Sequence, residues 1–131
     1  MTQTDPAAVF QAYYDSLTGG DMERLSTLLA DDIVWHQPGA GALSGTYRGR
    51  SEVLGLFGEF VGRSQGTFRL VARDVMVNGP LVAATVHFSA ERPDHKPLAM
   101  HGADLMLIEG GRIAEVWLFS EDQAAEDSFW A

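Results

Sequence analysis

Large apolar residues recur with a helical period near the start of the chain. Phe10, Tyr13, Tyr14 and Leu17 stand at i, i+3, i+4 and i+7, which puts four large side chains on one stripe of a helix. Asp5-Pro6 supplies a side-chain acceptor and a preset φ for its start, and Gly19-Gly20 ends it. A second helix follows from Asp21, with Met22, Leu25, Leu28 and Leu29 as its apolar face. Past Asp31-Asp32, the run Ile33-Val34-Trp35 favours a short strand. The glycine-rich stretch from Gln37 to Arg50 reads as an irregular loop over the surface or across one end of the core. Ser51 is placed to cap a third helix, whose broad apolar face carries Val53, Leu54, Leu56, Phe57, Phe60 and Val61. Gly55 and Gly58 weaken that helix, and close packing on a sheet would account for them.

From Thr67 the period changes. The segments Thr67–Val77, Leu81–Ala90, Leu98–Ile108 and Arg112–Ser120 are rich in apolar and β-branched residues and are separated by turn signals. Asn78-Gly79-Pro80 and Glu109-Gly110-Gly111 are tight connections and Arg92–Pro97 a longer one, so four long strands are expected to form an antiparallel meander. Three helices followed by a curved antiparallel sheet is an α+β architecture, with the helices on one face of the sheet. Apolar residues of both parities, such as Leu105 and Leu107 against Met106 and Ile108, indicate that both sheet faces are at least partly covered. A homodimer through the outer face is therefore expected.

Composition narrows the possible partners. The 131 residues fit one domain, 1–131, and 46% hydrophobic residues suffice for a core. A net charge of −9 repels the phosphates of nucleic acid and of anionic membranes, so neither is expected as a partner. Without cysteine there is no disulfide scaffold, thiolate nucleophile or Cys-ligated metal. No basic leader followed by an apolar stretch opens the chain, and no run is long enough to span a membrane. A cytoplasmic location is expected.

The order of elements, together with ADDIVWHQPGAGALSGTYRGR after the second helix, GGRIAEVW in the last strand and DQAAEDSFW at the end, resembles the SnoaL-like members of the nuclear transport factor 2-like superfamily. The resemblance covers essentially the whole chain. It implies a cone in which the curved sheet wraps around the three N-terminal helices, with a mostly apolar pocket between them. Walls implied for that pocket are Tyr13 or Tyr14, Leu17, Trp35, Gln37, Phe57, Phe60, Val86, Phe88, Met106 and Leu118. Fold alone does not choose an activity, because the superfamily includes isomerases, cyclases and non-catalytic binders.

Laid against the ketosteroid isomerases of the same superfamily, Tyr14, Gln37 and Asp104 fall on the three polar positions that matter most. The resemblance implies that Tyr14 and a protonated Asp104 donate hydrogen bonds to a developing oxyanion. An Asp inside the apolar run Ala103–Ile108 must in any case be paired or neutral. Two departures weaken the analogy. The isomerase base is replaced by Gln37, an amide that takes up no proton near neutral pH. The acid/base Asp of the cyclases corresponds here to Leu118. His36 is a candidate substitute base, although strand alternation sends it to the face opposite Gln37 unless the following loop breaks register.

If Val86 opposes Gly102, His87 and His101 face each other directly. Two imidazoles on the face away from Asp104 make an incomplete metal site, so no metal or other cofactor is expected. His87, His101, Trp117 and Phe119 are instead assigned to the dimer face, and His95 to a solvated turn. The acidic tail ends in Phe129-Trp130, which suits a segment docked on the body or the partner, or a lid over a groove. The expected function is binding of a small apolar organic molecule. It is either cofactor-free acid–base catalysis of isomerase or cyclase type on a carbonyl compound, or non-catalytic binding on the same fold.

Overall fold

The computed structural model describes residues 5–131; residues 1–4 of the stretch searched for a leader lie outside them. The Asp5 carboxylate accepts a hydrogen bond from the Ala7 amide at 3.1 Å and Pro6 opens the first turn, so helix α1 spans Pro6–Thr18. Val9, Phe10, Tyr13 and Ser16 are its buried face. Asp21 caps α2 (Met22–Leu28) through the Arg24 amide at 3.1 Å. Strand β1 begins at once and is longer than its β-prone kernel, running Leu29–Gln37. The loop expected after it contains a short strand, β2 (Gly45–Arg48), paired antiparallel to β1.

Helix α3 (Arg50–Arg63) starts at Gly49 with no side-chain cap, so Ser51 does not cap it as expected. It buries Val53, Leu56 and Phe57. A Cβ added at Gly55 or Gly58 would meet nothing within 4 Å, so close packing on the sheet does not explain these glycines.

The four long strands form as anticipated: β3 (Arg69–Asn78), β4 (Leu81–Ala90), β5 (Leu98–Glu109) and β6 (Arg112–Ser120). They make an antiparallel meander in which Val86 pairs with Gly102 and His87 with His101. The sheet as a whole is mixed, in the order β2-β1-β6-β5-β4-β3, because β1 lies parallel to β6. More than half of the chain separates these two strands, so no short turn imposes an antiparallel pairing.

Strict alternation along β4 turns Val82, Ala84, Val86, Phe88 and Ala90 inward. Leu98, Met100, Asp104, Met106 and Ile108 of β5 share that face. Gly102 belongs to the same row and is a packing requirement. A Cβ there would lie 2.5 Å from the Phe119 carbonyl oxygen and 3.0 Å from the Phe88 ring.

The three-helix expectation is incomplete, because the acidic tail forms a fourth helix, α4 (Gln123–Trp130), capped by Asp122 through the Ala125 amide at 3.1 Å. It docks on its own chain. Asp127 accepts from the Ala40 amide at 2.9 Å, and Gly39 lies so close that an added Cβ would fall 2.1 Å from the Asp127 Oδ1. Two guanidinium groups satisfy the last carbonyls of α4, which have no partner within the helix. Arg63 Nη1 donates to the Trp130 oxygen at 2.6 Å, and Arg92 Nη1 donates to Phe129 and, at 3.0 Å, to Ala131. Among the described residues no helix is long and apolar enough to cross a membrane.

Replacing Arg63 by Ala should loosen this docking. Loss of a charge-assisted bond to a buried carbonyl predicts a stability decrease of about 1–3 kcal/mol in urea unfolding. Hydrogen exchange should quicken in α4 before it does in β4 and β5, and unchanged protection of α4 would show that Arg63 does not fasten it.

Candidate functional site

The inner face of the sheet and helices α1, α3 and α4 enclose a cavity of about 480 Å³. Its walls are aromatic: Tyr13 and Tyr14 from α1, Trp35 from β1, Phe57 and Phe60 from α3, then Phe68, Phe88 and Trp130. Leu17, Leu70, Val86 and Leu118 complete the apolar lining. Trp35 meets Phe57 edge-on with ring centroids 5.0 Å apart, and Trp130 stands against Phe60 at the same separation.

The polar groups on this surface are few. Asp104, 8% exposed, projects from the inner face of β5, opposite Leu118 of β6. Burial, and after it the charge of Glu126, pushes its carboxyl up to about 7. Tyr13 is buried at the same cavity, and its hydroxyl is held well above the usual tyrosine range by burial and then by the charge of Asp104. Glu126 of α4 also lines the cavity. Burial raises its carboxyl, opposed by hydrogen bonds from Ser120 and Gln123 and by the nearby Trp130 indole.

Gln37 presents a donor. The Trp35 Nε1–H donates to Gln37 Oε1 at 3.0 Å, and because an indole nitrogen can only donate, the amide orientation is fixed. The Gln37 nitrogen has no protein acceptor among the described residues and is left for the cavity. Arg69 is the lining cation, but its Nη1 is committed to the Gly66 and Phe68 carbonyls, both at 2.9 Å.

Most of the expected lining is present: Tyr14, Leu17, Trp35, Gln37, Phe57, Phe60, Val86, Phe88, Asp104 and Leu118 all border the cavity. Three assignments change. Met106 is fully buried between Val82 and Val116, its neighbours across the sheet, where the cone is filled by side chains, and it does not reach the cavity. His36 does not reach it either. The register of β1 is unbroken from Val34 through Gln37, so Trp35 and Gln37 turn inward and His36 turns out. There it bonds Glu115 at 2.6 Å and stacks on Trp117 at 5.7 Å.

The third change concerns α1. Tyr14 donates its hydroxyl to the Leu70 carbonyl at 3.4 Å, whereas it is Tyr13 whose ionisation senses Asp104. The buried row Val9, Phe10, Tyr13 and Ser16 centres the helix on Tyr13. Sequence reasoning also missed Ser120, Glu126 and Trp130. The readable signal was Asp122 as a cap followed by Glu126, Phe129 and Trp130 at helical spacing.

On the outer face, the His87 and His101 rings meet edge-on at 5.1 Å, and Phe119 is exposed. Among the described residues, no group of three or more His, Asp or Glu side chains is arranged to hold a metal ion.

Comparison with known proteins places the fold. The profile of the SnoaL-like domain matches residues 10–116. The uncharacterised protein Rv0034 of Mycobacterium tuberculosis is 31% identical over 132 residues, covering 100% of both chains. A crystal structure from Xanthomonas campestris, of unknown function and cystatin-like fold, is 38% identical with a TM-score of 0.91, covering 96% of this chain and 98% of that one. IdmH of Streptomyces antibioticus, a candidate polyketide cyclase, is 26% identical with a TM-score of 0.75, over 89% and 92% of the two chains.

The buried carboxyl makes a prediction about stability. An unfolded Asp titrates at about 3.9, whereas Asp104 in the folded chain titrates at about 7. The native state therefore holds this proton more tightly. That contribution is complete below about pH 4 and is lost as pH rises through about 7. Asp104→Asn should leave stability nearly unchanged at pH 4 and raise it at pH 8 by up to about 4 kcal/mol. Equal effects at the two pH values in urea unfolding would contradict this.

Proposed function

The chain belongs to the SnoaL-like family, and we propose that it is a cofactor-free acid–base enzyme whose cavity takes a small apolar carbonyl compound. The observation that carries this reading is the meeting of the Asp104 carboxyl and the Tyr13 hydroxyl at one aromatic cavity. Such a site repels anions and suits a neutral molecule with one polar end.

In this reading the substrate carbonyl accepts a hydrogen bond from Tyr13. A phenol whose pKa is raised stays neutral at all working pH values and remains a donor. The Gln37 amide nitrogen offers a second donor from β1. Asp104, as carboxylate, removes a hydrogen as a proton from the carbon beside the carbonyl. The C–H electron pair becomes the enolate double bond, and the carbonyl π pair moves to the oxygen held by Tyr13. Protonated Asp104 then returns the proton to carbon, at the same position or at a conjugated one, and the carbonyl reforms. A carboxyl titrating at about 7 has both forms populated near neutral pH, as a group that takes and returns a proton requires. This replaces the expected division of labour, because His36 lies outside and Asp104 takes the role of base.

One observation favours the alternative, a binding protein of the same fold. Gln37 stands where the isomerases carry their base, and it is fixed as a donor. Exchange of α-hydrogens for deuterium in 1-tetralone, followed by NMR, separates the two readings. Catalysis predicts exchange well above the buffer rate, rising with pH to a plateau above about 7. Asp104→Asn should lower the rate by about 10²–10⁴ and Tyr13→Phe by about 10²–10³. His36→Ala should leave it within about twofold, as expected of a surface change. Saturable ketone binding without exchange would establish the binding reading instead.

A further inference from the structure

We propose that the cavity is also a site for a lipophilic organic cation, an alkylated ammonium ion held between the Asp104 and Glu126 carboxyls and the aromatic rings around them. This is a second class of ligand for the same cavity, and it does not depend on the carbonyl chemistry.

The two acids face one cavity from different elements, Asp104 from β5 and Glu126 from α4, with 8% and 7% of their surface exposed. Neither belongs to an ion pair among the described residues. Ser120 Oγ at 2.6 Å and Gln123 Nε2 at 3.1 Å donate to Glu126 Oε1, which fixes that carboxyl and favours its charged form. Asp104 differs, because no donor among the described residues bonds its oxygens. Those oxygens are not sealed in protein either. Among the described residues the one fully enclosed side-chain nitrogen or oxygen without a partner is Trp130 Nε1. An unpartnered carboxyl that is nine-tenths buried therefore opens on the cavity.

A carboxylate withdrawn from water without a counterion is costly, and the walls decide which counterion fits. Tyr13, Trp35, Phe57, Phe60 and Trp130 surround the space. Their ring faces attract a cation, most strongly when it is out of water. A metal ion is a poor match, since no group of three or more His, Asp or Glu side chains among the described residues is arranged to hold one. A primary ammonium would bring three strongly hydrated N–H donors to walls that are mostly rings. An alkylated ammonium instead presents its charge through methyl groups that rest on ring faces, and it asks of the two acids only their charge. The net charge of −9 adds a long-range attraction for such a ligand.

Binding of this kind is linked to pH. The titratable and charged side chains on the cavity lining are Tyr13 and Tyr14 from α1, Arg69 from β3, Asp104 from β5 and Glu126 from α4, and the other lining elements present none. Asp104, at about 7, is the one that changes charge near neutrality, while burial keeps the Tyr13 hydroxyl protonated. A permanent cation favours the Asp104 carboxylate and displaces its proton. Affinity should therefore rise with pH through about 7 and then level off.

Phenyltrimethylammonium and its uncharged carbon analogue, tert-butylbenzene, have the same shape, and neither titrates. Calorimetry at pH 8 should show the cation bound at least about tenfold more tightly than the hydrocarbon. From pH 8 to pH 6 the affinity for the cation should fall about tenfold, while that for the hydrocarbon stays level. Asp104→Asn should lower cation affinity at pH 8 by about tenfold and flatten its pH dependence between pH 6 and pH 8, with tert-butylbenzene still bound. Near-UV circular dichroism confirms that the variant is folded, and the wild-type pH series decides the matter if it is not.

Failure of the cation to bind, or equal affinities for the two probes at pH 8, would overturn the proposal. So would a preference that is the same at pH 6 or in the folded variant, because the rings alone would then account for it. Deuterium exchange into 1-tetralone keeps this inference separate from the catalytic reading. A pH-linked cation preference without exchange keeps the cation site and removes the carbonyl chemistry. Exchange without that preference does the reverse.

Discussion

A carboxyl group on the inner face of an antiparallel strand, with no cation beside it, is the constraint around which this molecule is organised. Asp104 sits in the row Leu98, Met100, Gly102, Asp104, Met106 and Ile108, where every other side chain is apolar or absent. Burying an ion there would be costly, and a salt bridge would be the ordinary remedy. The cation on the cavity lining, Arg69, donates to the Gly66 and Phe68 carbonyls and forms no ion pair with Asp104. The carboxyl answers by holding its proton to about neutral pH. That choice needs space as well as low polarity. Past Asp104 the cone is filled to closure by Met106, Val82 and Val116, and before it the sheet leaves the cavity open.

Helix α4 ties this constraint to the rest of the fold. Its C-terminal carbonyls are held by Arg63 from α3 and Arg92 from the β4–β5 connection, and its first turns are pinned to the Gly39–Gly41 loop by Asp127. Positive groups at a helix C-terminus also oppose the helix dipole. These contacts bring three distant segments to one wall of the cavity, and that wall carries Glu126. A second carboxyl here raises the first, so the element that closes the cavity also adjusts the acid on its floor. Docking and proton affinity are thus coupled through one short helix.

The sequence made the secondary elements readable because their signals are local. The stripe on α1 and the four strands with their turns follow from periods of 3.6 and 2. The pairing of His87 with His101 follows once one register is fixed. What escaped was non-local. The parallel contact of β1 with β6 joins residues about eighty positions apart and leaves no trace in either strand. Tyr13 and Tyr14 are adjacent, and only the rotation of α1 against the sheet decides which one meets Asp104. His36 was the opposite case, because alternation already pointed it outward and the structure follows alternation. Glu126 reads as one acid in an acidic tail until the tail is seen to be a docked helix.

The exchange of Gln37 for a carboxylate changes the polarity of the site and does not simply delete a function. Trp35 donates to the Gln37 oxygen from within the same strand, and the amide nitrogen is thereby turned to the cavity as a donor. A carboxylate at that position would accept from Trp35 and place a third acid near Asp104 and Glu126. With three acids at one apolar cavity, mutual repulsion would drive proton uptake further and leave the carbonyl end of a ligand without a donor on β1. With an amide there, α1 and β1 each offer a donor, and in the proposed reading the proton-carrying role falls to β5. In the proposed reading the base is therefore the β5 carboxyl, and β1 contributes a donor: the buried Asp104 has the proton affinity that a base working near neutral pH requires.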